Sequence, residues 1–337
     1  MRKRSDNSAG MTATDDPRTA IEAEAKRLAG ERASGVRVVE GVVTIALDVA
    51  GLRDEARVEL AAGLKRGISV MAGVKDVRVA MLAAKRSRTI IAVGSGKGGV
   101  GKSTLATNIA LALAALGRKV GMVDADIYGP SQPRLFGSEG VRPEAEGEKL
   151  IPIMSPHGIP LLSMGQIAAP GQAIAWRGPM AGKALDQLVD AHWGDVDLLI
   201  FDLPPGTGDI QISMLQKYKP AGAVIVSTPQ DIALIDAARA ITLFRDSGVP
   251  IIGMVENMAG YICPHCGEIS DPFGSGGAEH EAGELDIPFL GRVPLDRSIR
   301  LASDAGVPPV AQGGDIAEPF IAIAARIDLW LSEQAKG

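Results

Sequence analysis

The rhythm of apolar and polar positions changes several times along the chain, and each change marks an element. From Val36 to Val49 short alternation runs on either side of Glu40-Gly41, the pattern of a β-hairpin. A helical spacing follows from about Arg53 to Val70, then another strand from Val77 to Leu82. Together these predict a small α/β domain over residues 19–84. Residues 1–18 are polar and aperiodic and read as a disordered leader, within which Met11 is an alternative start; Lys85-Arg-Ser-Arg88 reads as a short basic linker. Beyond it, short apolar runs alternate with helix-length segments. The expected strands are Thr89 to Val93, Lys119 to Val123, Asp197 to Phe201, Ala223 to Ser227, Ile251 to Glu256 and Phe289 to Val293. The expected helices lie at 103–116, 179–190, 232–247, 297–305 and 317–334. Such alternation predicts a mostly parallel α/β sheet with helices on both faces over residues 89–337, with ligands at the carboxyl ends of the strands.

Bulk properties narrow the picture. With 337 residues the chain has room for two domains, and 46% apolar residues supply a core for each. No run approaches the length needed to cross a bilayer, and the basic N-terminus has no apolar stretch behind it, so no membrane and a cytoplasmic location are expected. Forty acidic residues against 35 basic ones, a net charge of −5, give no overall attraction to nucleic acid. The segment Ile316 to Glu333 is amphipathic but acidic on balance, which fits packing on the sheet better than binding a membrane.

The most specific chemistry lies between the first strand and first helix of the large domain, in Gly94-Ser-Gly-Lys-Gly-Gly-Val-Gly-Lys-Ser-Thr104. Gly96, Gly101, Lys102 and Ser103 satisfy G-x-x-x-x-G-K-[ST]. Glycines there let the backbone N–H groups from Gly96 through Gly98, Gly99 and Val100 to Thr104 turn inward around a polyphosphate. Lys102 neutralises the β- and γ-phosphates, Ser103 holds Mg²⁺, and the helix adds the positive end of its dipole. A nucleoside triphosphate with Mg²⁺ is the expected ligand. Two further strands end in carboxylates. Asp124 and Asp126 in Val123-Asp-Ala-Asp-Ile-Tyr-Gly-Pro-Ser131 are two apart on extended chain and share a side, so one can face the nucleotide; the same residues would also serve as turn caps. Asp202 closes Leu198-Leu-Ile-Phe-Asp202 and is the expected second carboxylate for Mg²⁺, with Gly206 and Gly208 freeing the loop behind it. Asn257 ends a later strand, a place where asparagine is commonly a turn former.

The only two cysteines, in Cys263-Pro-His-Cys266, sit in a polar, glycine-rich excursion that extends to Gly277. Thiolates at this spacing commonly bind one metal or cluster. One chain supplies two, so a four-ligand site needs either extra ligands, His265 and His280 being the nearby histidines, or a two-fold dimer in which each chain gives its pair. Symmetry favours the dimer. An oxidisable dithiol or part of a zinc ribbon remains open.

The run Lys97-Gly-Gly-Val-Gly-Lys-Ser-Thr104 resembles the signature of the deviant phosphate-loop ATPases, in which the first lysine reaches the partner subunit's nucleotide across a face-to-face dimer. Taken with Asp124-Ala-Asp-Ile-Tyr-Gly-Pro-Ser131, Asp202-Leu-Pro-Pro-Gly-Thr-Gly-Asp209, Glu256-Asn-Met258, the cysteine pair and Phe289-Leu-Gly-Arg-Val-Pro-Leu-Asp296, it is similar to the Mrp/ApbC iron-sulfur cluster carriers. That resemblance implies a homodimeric ATPase that binds ATP with Mg²⁺. Lys97, Lys102 and Asp126 would be catalytic, Asp126 orienting the attacking water, while Asp124 supports the magnesium shell and Asn257 reads the adenine edge. A [4Fe-4S] cluster would be held between subunits by Cys263 and Cys266 and passed to apoproteins. Residues 35–84 resemble, more loosely, an iron-sulfur assembly accessory domain that usually carries Cys-Pro after its second strand; here the stretch Val49-Ala-Gly-Leu-Arg-Asp54 has no cysteine. A positioning or partition ATPase and a zinc metallochaperone are the alternative readings.

Overall fold

A computed structural model describes residues 17–49, 52, 54–82, 88–167, 178–263 and 265–335. Most of the expected leader, residues 85–87 of the linker and Arg53 lie outside them. The chain divides into two compact units, residues 1–86 and 87–337.

In the smaller unit, α1 (Pro17–Ala29) precedes a hairpin of β1 (Ala33–Val39) and β2 (Val42–Asp48), then α2 (Asp54–Ser69) and β3 (Asp76–Leu82). Glu40 and Gly41, with φ of 50° and 84°, make the two-residue turn of the hairpin. β3 adds parallel to β2, giving the order β1-β2-β3. Ile21 and Ala25 of α1 pack with Leu64 and Ile68 of α2 onto Val43, Ile45 and Leu47, the inward alternate positions of β2. α1 has no counterpart among the expected elements and takes in Pro17 and Arg18.

The larger unit is built on a sheet of eight strands in the order β15-β12-β11-β4-β10-β5-β9-β8. In chain order it runs β4 (Thr89–Gly94), α3 (Lys102–Ala115), β5 (Val120–Asp124), α4 (Gln132–Leu135), a small hairpin of β6 (Glu144–Glu146) and β7 (Lys149–Ile151), β8 (Ile153–Met154), β9 (Pro160–Ser163), α5 (Met164–Ile167) and α6 (Gly178–Val189). It continues with β10 (Leu198–Asp202), α7 (Asp209–Tyr218), β11 (Gly222–Ser227), α8 (Asp231–Asp246), β12 (Ile251–Asn257), a second hairpin of β13 (Tyr261–Ile262) and β14 (Ile269–Ser270), and α9 (Gly277–Glu284). β15 (Phe289–Val293), α10 (Arg297–Asp304), α11 (Pro309–Gln312) and α12 (Glu318–Gln334) close the unit. Every pair in the large sheet is parallel except β8 with β9.

Alternation along β4 explains the two layers of helices. Ile91 and Val93 face a core built with α3 and α12, including Leu105, Ile109, Phe320, Ile323 and Ile327. Ile90 and Ala92 face the opposite core, with Leu185 and Leu188 of α6, Leu215 of α7 and Phe244 of α8. Strands covered on both faces read as continuous apolar runs, and β10 and β11 are buried at every position. The sheet is an α/β fold of the P-loop NTPase type.

Candidate nucleotide and thiolate sites

The central strands deliver their last residues side by side. Asp202 of β10 pairs in register with Val93 of β4 on one side and Asp124 of β5 on the other. The loop after β4 rises from this point and enters α3 through Gly101, whose φ of 82° is left-handed. Gly96 needs its missing side chain for another reason: a Cβ there would lie 2.1 Å from the backbone carbonyl carbon and oxygen of Asp236, so the loop rests directly on α8. Ser95 Oγ donates to Lys97 O at 2.9 Å and fixes the turn from inside. Lys97 itself is half-buried and forms no ion pair with a described residue.

Lys102 is buried, and its ammonium group meets oxygens only. Nζ donates to Asp202 Oδ1 at 2.5 Å and to Ser103 Oγ at 3.4 Å, and lies 3.9 Å from Asp126 Oδ2. Asp124 and Asp202 are wholly buried and Asp126 nearly so. Burial, then the neighbouring charge of Asp202, pushes Asp124 up to about 7, against the pull of Ser163 and the Gln132 N–H. Ser163 Oγ donates to Asp124 Oδ2 at 2.8 Å and the Gln132 N–H to the same oxygen at 3.1 Å. The Asp126 N–H donates to Asp124 Oδ1, while Asp126 Oδ1 accepts from Tyr128 and Gly129 N–H groups, holding the loop after β5 in a tight turn. A serine hydroxyl and two carboxylates gathered around one cation make an all-oxygen donor set, the chemistry that suits Mg²⁺.

Of the other expected site residues, Gly98, Gly99 and Val100 form the crest of the loop, and Thr104 lies in the first turn of α3. Asn257 ends β12 with its amide against that loop: Nδ2 donates to Val100 O at 2.8 Å. Preceding it on the strand and so facing the other way, Glu256 is wholly buried and accepts from Ala278 N (2.8 Å), Gly276 N (3.2 Å) and Arg292 Nε (3.1 Å). These bonds fasten the far end of the cysteine excursion to the strand from which it departs. Backbone bonds from Ala259 to Val293 O and from Leu295 to Gly260 O fasten the near end.

Cys263 and Cys266 lie in the turn of the β13–β14 hairpin, Cys266 exposed and Cys263 partly so. The Cys263 N–H donates to Glu268 O and the Gly267 N–H to Cys263 O. Backbone N–H groups of Cys266 and His265 directed at its sulfur hold the Cys263 thiol below the usual cysteine range. Among the described residues no third histidine, cysteine or carboxylate joins the pair in a metal-binding group, so neither His265 nor His280 completes a site within the chain.

Gln132 and Ser163 are the polar residues that the motifs did not single out. Ser163 ends the apolar run Ile159 to Leu162 as Asp124 and Asp202 end theirs, a signal present in the sequence. Gln132 precedes Pro133, which marks a helix start, but nothing local announces where its side chain goes.

The description that matches this architecture is that of the ParA-group NUBPL iron-transfer P-loop NTPases, over residues 86–328. The chain belongs to this family. An iron-sulfur cluster carrier protein of Deinococcus radiodurans is 46% identical over 71% of the chain and 70% of its own length. The iron-sulfur cluster carrier protein of Escherichia coli strain K12 is 52% identical over 66% of the chain, a match that spans only 61% of that relative. Among solved structures, a nucleotide-binding protein from Archaeoglobus fulgidus in complex with ADP superposes with a TM-score of 0.59 at 39% identity, covering 69% of the chain and 91% of that protein. The cell division ATPase MinD of Pyrococcus furiosus shares the fold, with a TM-score of 0.53 at 23% identity over 72% of the chain and 99% of its own. The family match takes in both the phosphate loop and the cysteine hairpin. No helix among the described residues is long and apolar enough to cross a membrane.

Proposed function

We propose that the protein is a cytoplasmic, homodimeric ATPase that carries a [4Fe-4S] cluster between Cys263 and Cys266 of two copies and delivers it to apo iron-sulfur proteins. The observation that carries this reading is the junction at Asn257. Its side chain touches the phosphate loop at Val100, and six residues later the chain reaches Cys263. A change in the loop therefore has a short path to the thiols, one hydrogen bond and six residues of chain. Two thiolates in one hairpin turn, joined by no third ligand in a metal-binding group among the described residues, would form half of a tetrathiolate site.

ATP is the substrate of the oxygen-lined site. Backbone N–H groups from Gly96 to Thr104 would cradle its phosphates, and Lys102 would swing from Asp202 to the β- and γ-phosphoryl oxygens. Magnesium, held by Ser103 and through Asp202 and Asp124, would supply neutralisation of charge on the β- and γ-oxygens. Asp126, on the loop beside Lys102, would orient the attacking water, and Lys97 would reach the nucleotide of the second copy. Hydrolysis then proceeds by positioning and charge neutralisation, with no covalent protein intermediate. The smaller α/β unit would serve as an accessory domain without a metal ligand of its own in the cysteine position.

The test is transfer itself. The reconstituted protein should restore activity to an apo acceptor that needs a [4Fe-4S] cluster, and should hydrolyse ATP; Lys102→Ala should lose hydrolysis, and Cys266→Ala should lose transfer. Zinc in place of iron in the anaerobically purified protein would move the reading to a metallochaperone. Nucleotide-dependent pelleting with DNA or liposomes would move it to a partition-type ATPase.

A further inference from the structure

Gln132 is wholly buried and opens the short helix α4 directly after the loop that carries Asp126. Its side chain crosses to two other elements, α3 and β10. Nε2 donates to Asp202 Oδ2 at 2.7 Å and to Ser103 O at 3.0 Å, while Oε1 lies 2.6 Å from Thr107 Oγ1. The direction of the amide follows from its neighbours. Asp202 and the Ser103 carbonyl offer only acceptors, so the NH₂ must face them and the oxygen must face the Thr107 hydroxyl. Both amide protons and the carbonyl oxygen are thus engaged, and the backbone N–H of the same residue holds Asp124. One residue ties α3, β5, β10 and the loop after β5 together at their shared end.

We propose that Gln132 is a positioning residue for the nucleotide site: it occupies Oδ2 of Asp202, so that Oδ1 alone is turned toward Lys102 and toward the metal that accompanies the nucleotide. The inference rests on the reading of this site as one for Mg²⁺ and a nucleoside phosphate. A carboxylate with one oxygen tied down by a neutral amide keeps its charge and loses its freedom to rotate. Groups that orient metal ligands in this way typically govern metal affinity by about 10–100-fold. Because Gln132 directly follows the loop that carries Asp126, any withdrawal of that loop would also release Asp202.

The experiment compares binding of a fluorescent ADP analogue to the full chain, with MgCl₂ and with EDTA, in the unaltered protein, Gln132→Leu and Thr107→Val. In Gln132→Leu the Mg²⁺ concentration needed for half-maximal enhancement should rise by about 10–100-fold. Affinity in EDTA, which depends on the loop and Lys102, should stay within about threefold of the unaltered protein's, a small fraction of that shift. Thr107→Val keeps the side-chain shape and removes the hydroxyl that faces Gln132 Oε1 at 2.6 Å and Ser103 O at 2.9 Å, and should move the Mg²⁺ requirement the same way by a few-fold. Equal losses with and without Mg²⁺, or an unmoved Mg²⁺ requirement in both variants, would make Gln132 a packing residue and overturn the proposal. If the unaltered protein fails to bind the analogue under either condition, the reading of the site has failed, and the inference falls with it.

Discussion

Replacing Lys102 by methionine should unfold the nucleotide-free protein far more readily than the loss of one phosphate contact would suggest. Methionine keeps much of the apolar stem and removes the charge. Among the described residues Lys102 is the one cation within 4 Å of Asp126 and Asp202, and Asp124 stands next to Asp202 in register. Removing one partner of a buried pair costs about 3–5 kcal/mol, because the remaining charge has neither water nor counter-ion. For a unit of this size each kcal/mol lowers Tm by about 2–4 °C, so the expected fall is roughly 6–20 °C. The Lys102 charge also favours the ionised form of Asp124, whose carboxyl burial already pushes up, so its removal raises that group further and the deficit is larger at neutral pH and shrinks as the solution is acidified. Mg²⁺ added without nucleotide should recover part of the loss, since it suits the same oxygens. Lys97→Met, which breaks no ion pair with a described residue, should stay within about 0.5 kcal/mol. Thermal denaturation in EDTA at neutral and at acidic pH is the assay. A Lys102→Met protein within about 1 kcal/mol of the unaltered chain at neutral pH would refute the reasoning, as would a deficit that does not change with pH.

Three further outcomes are expected. Gly96→Ala sets a methyl group 2.1 Å from the Asp236 carbonyl, and should destabilise by about 1–3 kcal/mol and weaken nucleotide binding in a fluorescence titration. Gly283→Ala in α9, with nothing within 4 Å, should do neither, and equal behaviour of the two would contradict the loop's placement on α8. Since Asp124 is pushed up to about 7, its ionisation costs the nucleotide-free fold stability as pH rises from the ordinary carboxylate range to that value. Asp124→Asn should flatten this slope in urea titrations, and a slope left intact would assign it elsewhere. Finally, Cys263 in the metal-free protein should be alkylated with a pH midpoint below the ~8.5 of an ordinary thiol, read by peptide mass spectrometry. A midpoint at or above that of an unfolded control would remove the backbone N–H groups as its cause.

The carboxyl ends of the strands were the most legible part of the molecule. A strand covered on both faces must be apolar, so a polar residue that ends one, as Asp124, Asp202 and Asn257 do, stands out in the sequence. The family resemblance read from these motifs is the family to which the chain belongs. Ser163 obeys the same rule at the end of β9, but that strand is four residues long and begins with proline, which hid it. α7 was hidden differently: Ile210, Ile212 and Met214 alternate as on a strand, and the segment is helical because Met214 and Leu215 dock on the sheet. In α9 the buried pair Ala278 and Ala282 is too small to register as an apolar stripe. α1 did carry a readable spacing, Ile21, Ala25 and Leu28, within a stretch whose charge obscured it. Gln132 lies beyond any local rule, because its partners stand at residues 103, 107 and 202 and only the folded unit brings them together.

The decisive measurement is the molar mass and iron content of the protein reconstituted with iron and sulfide in the absence of oxygen, with ATP present. The account predicts a species of twice the chain mass holding about four iron, which falls apart to an iron-free monomer when Cys263 is replaced by alanine. A monomer that never pairs under these conditions, or a Cys263→Ala protein that keeps its iron, would contradict it.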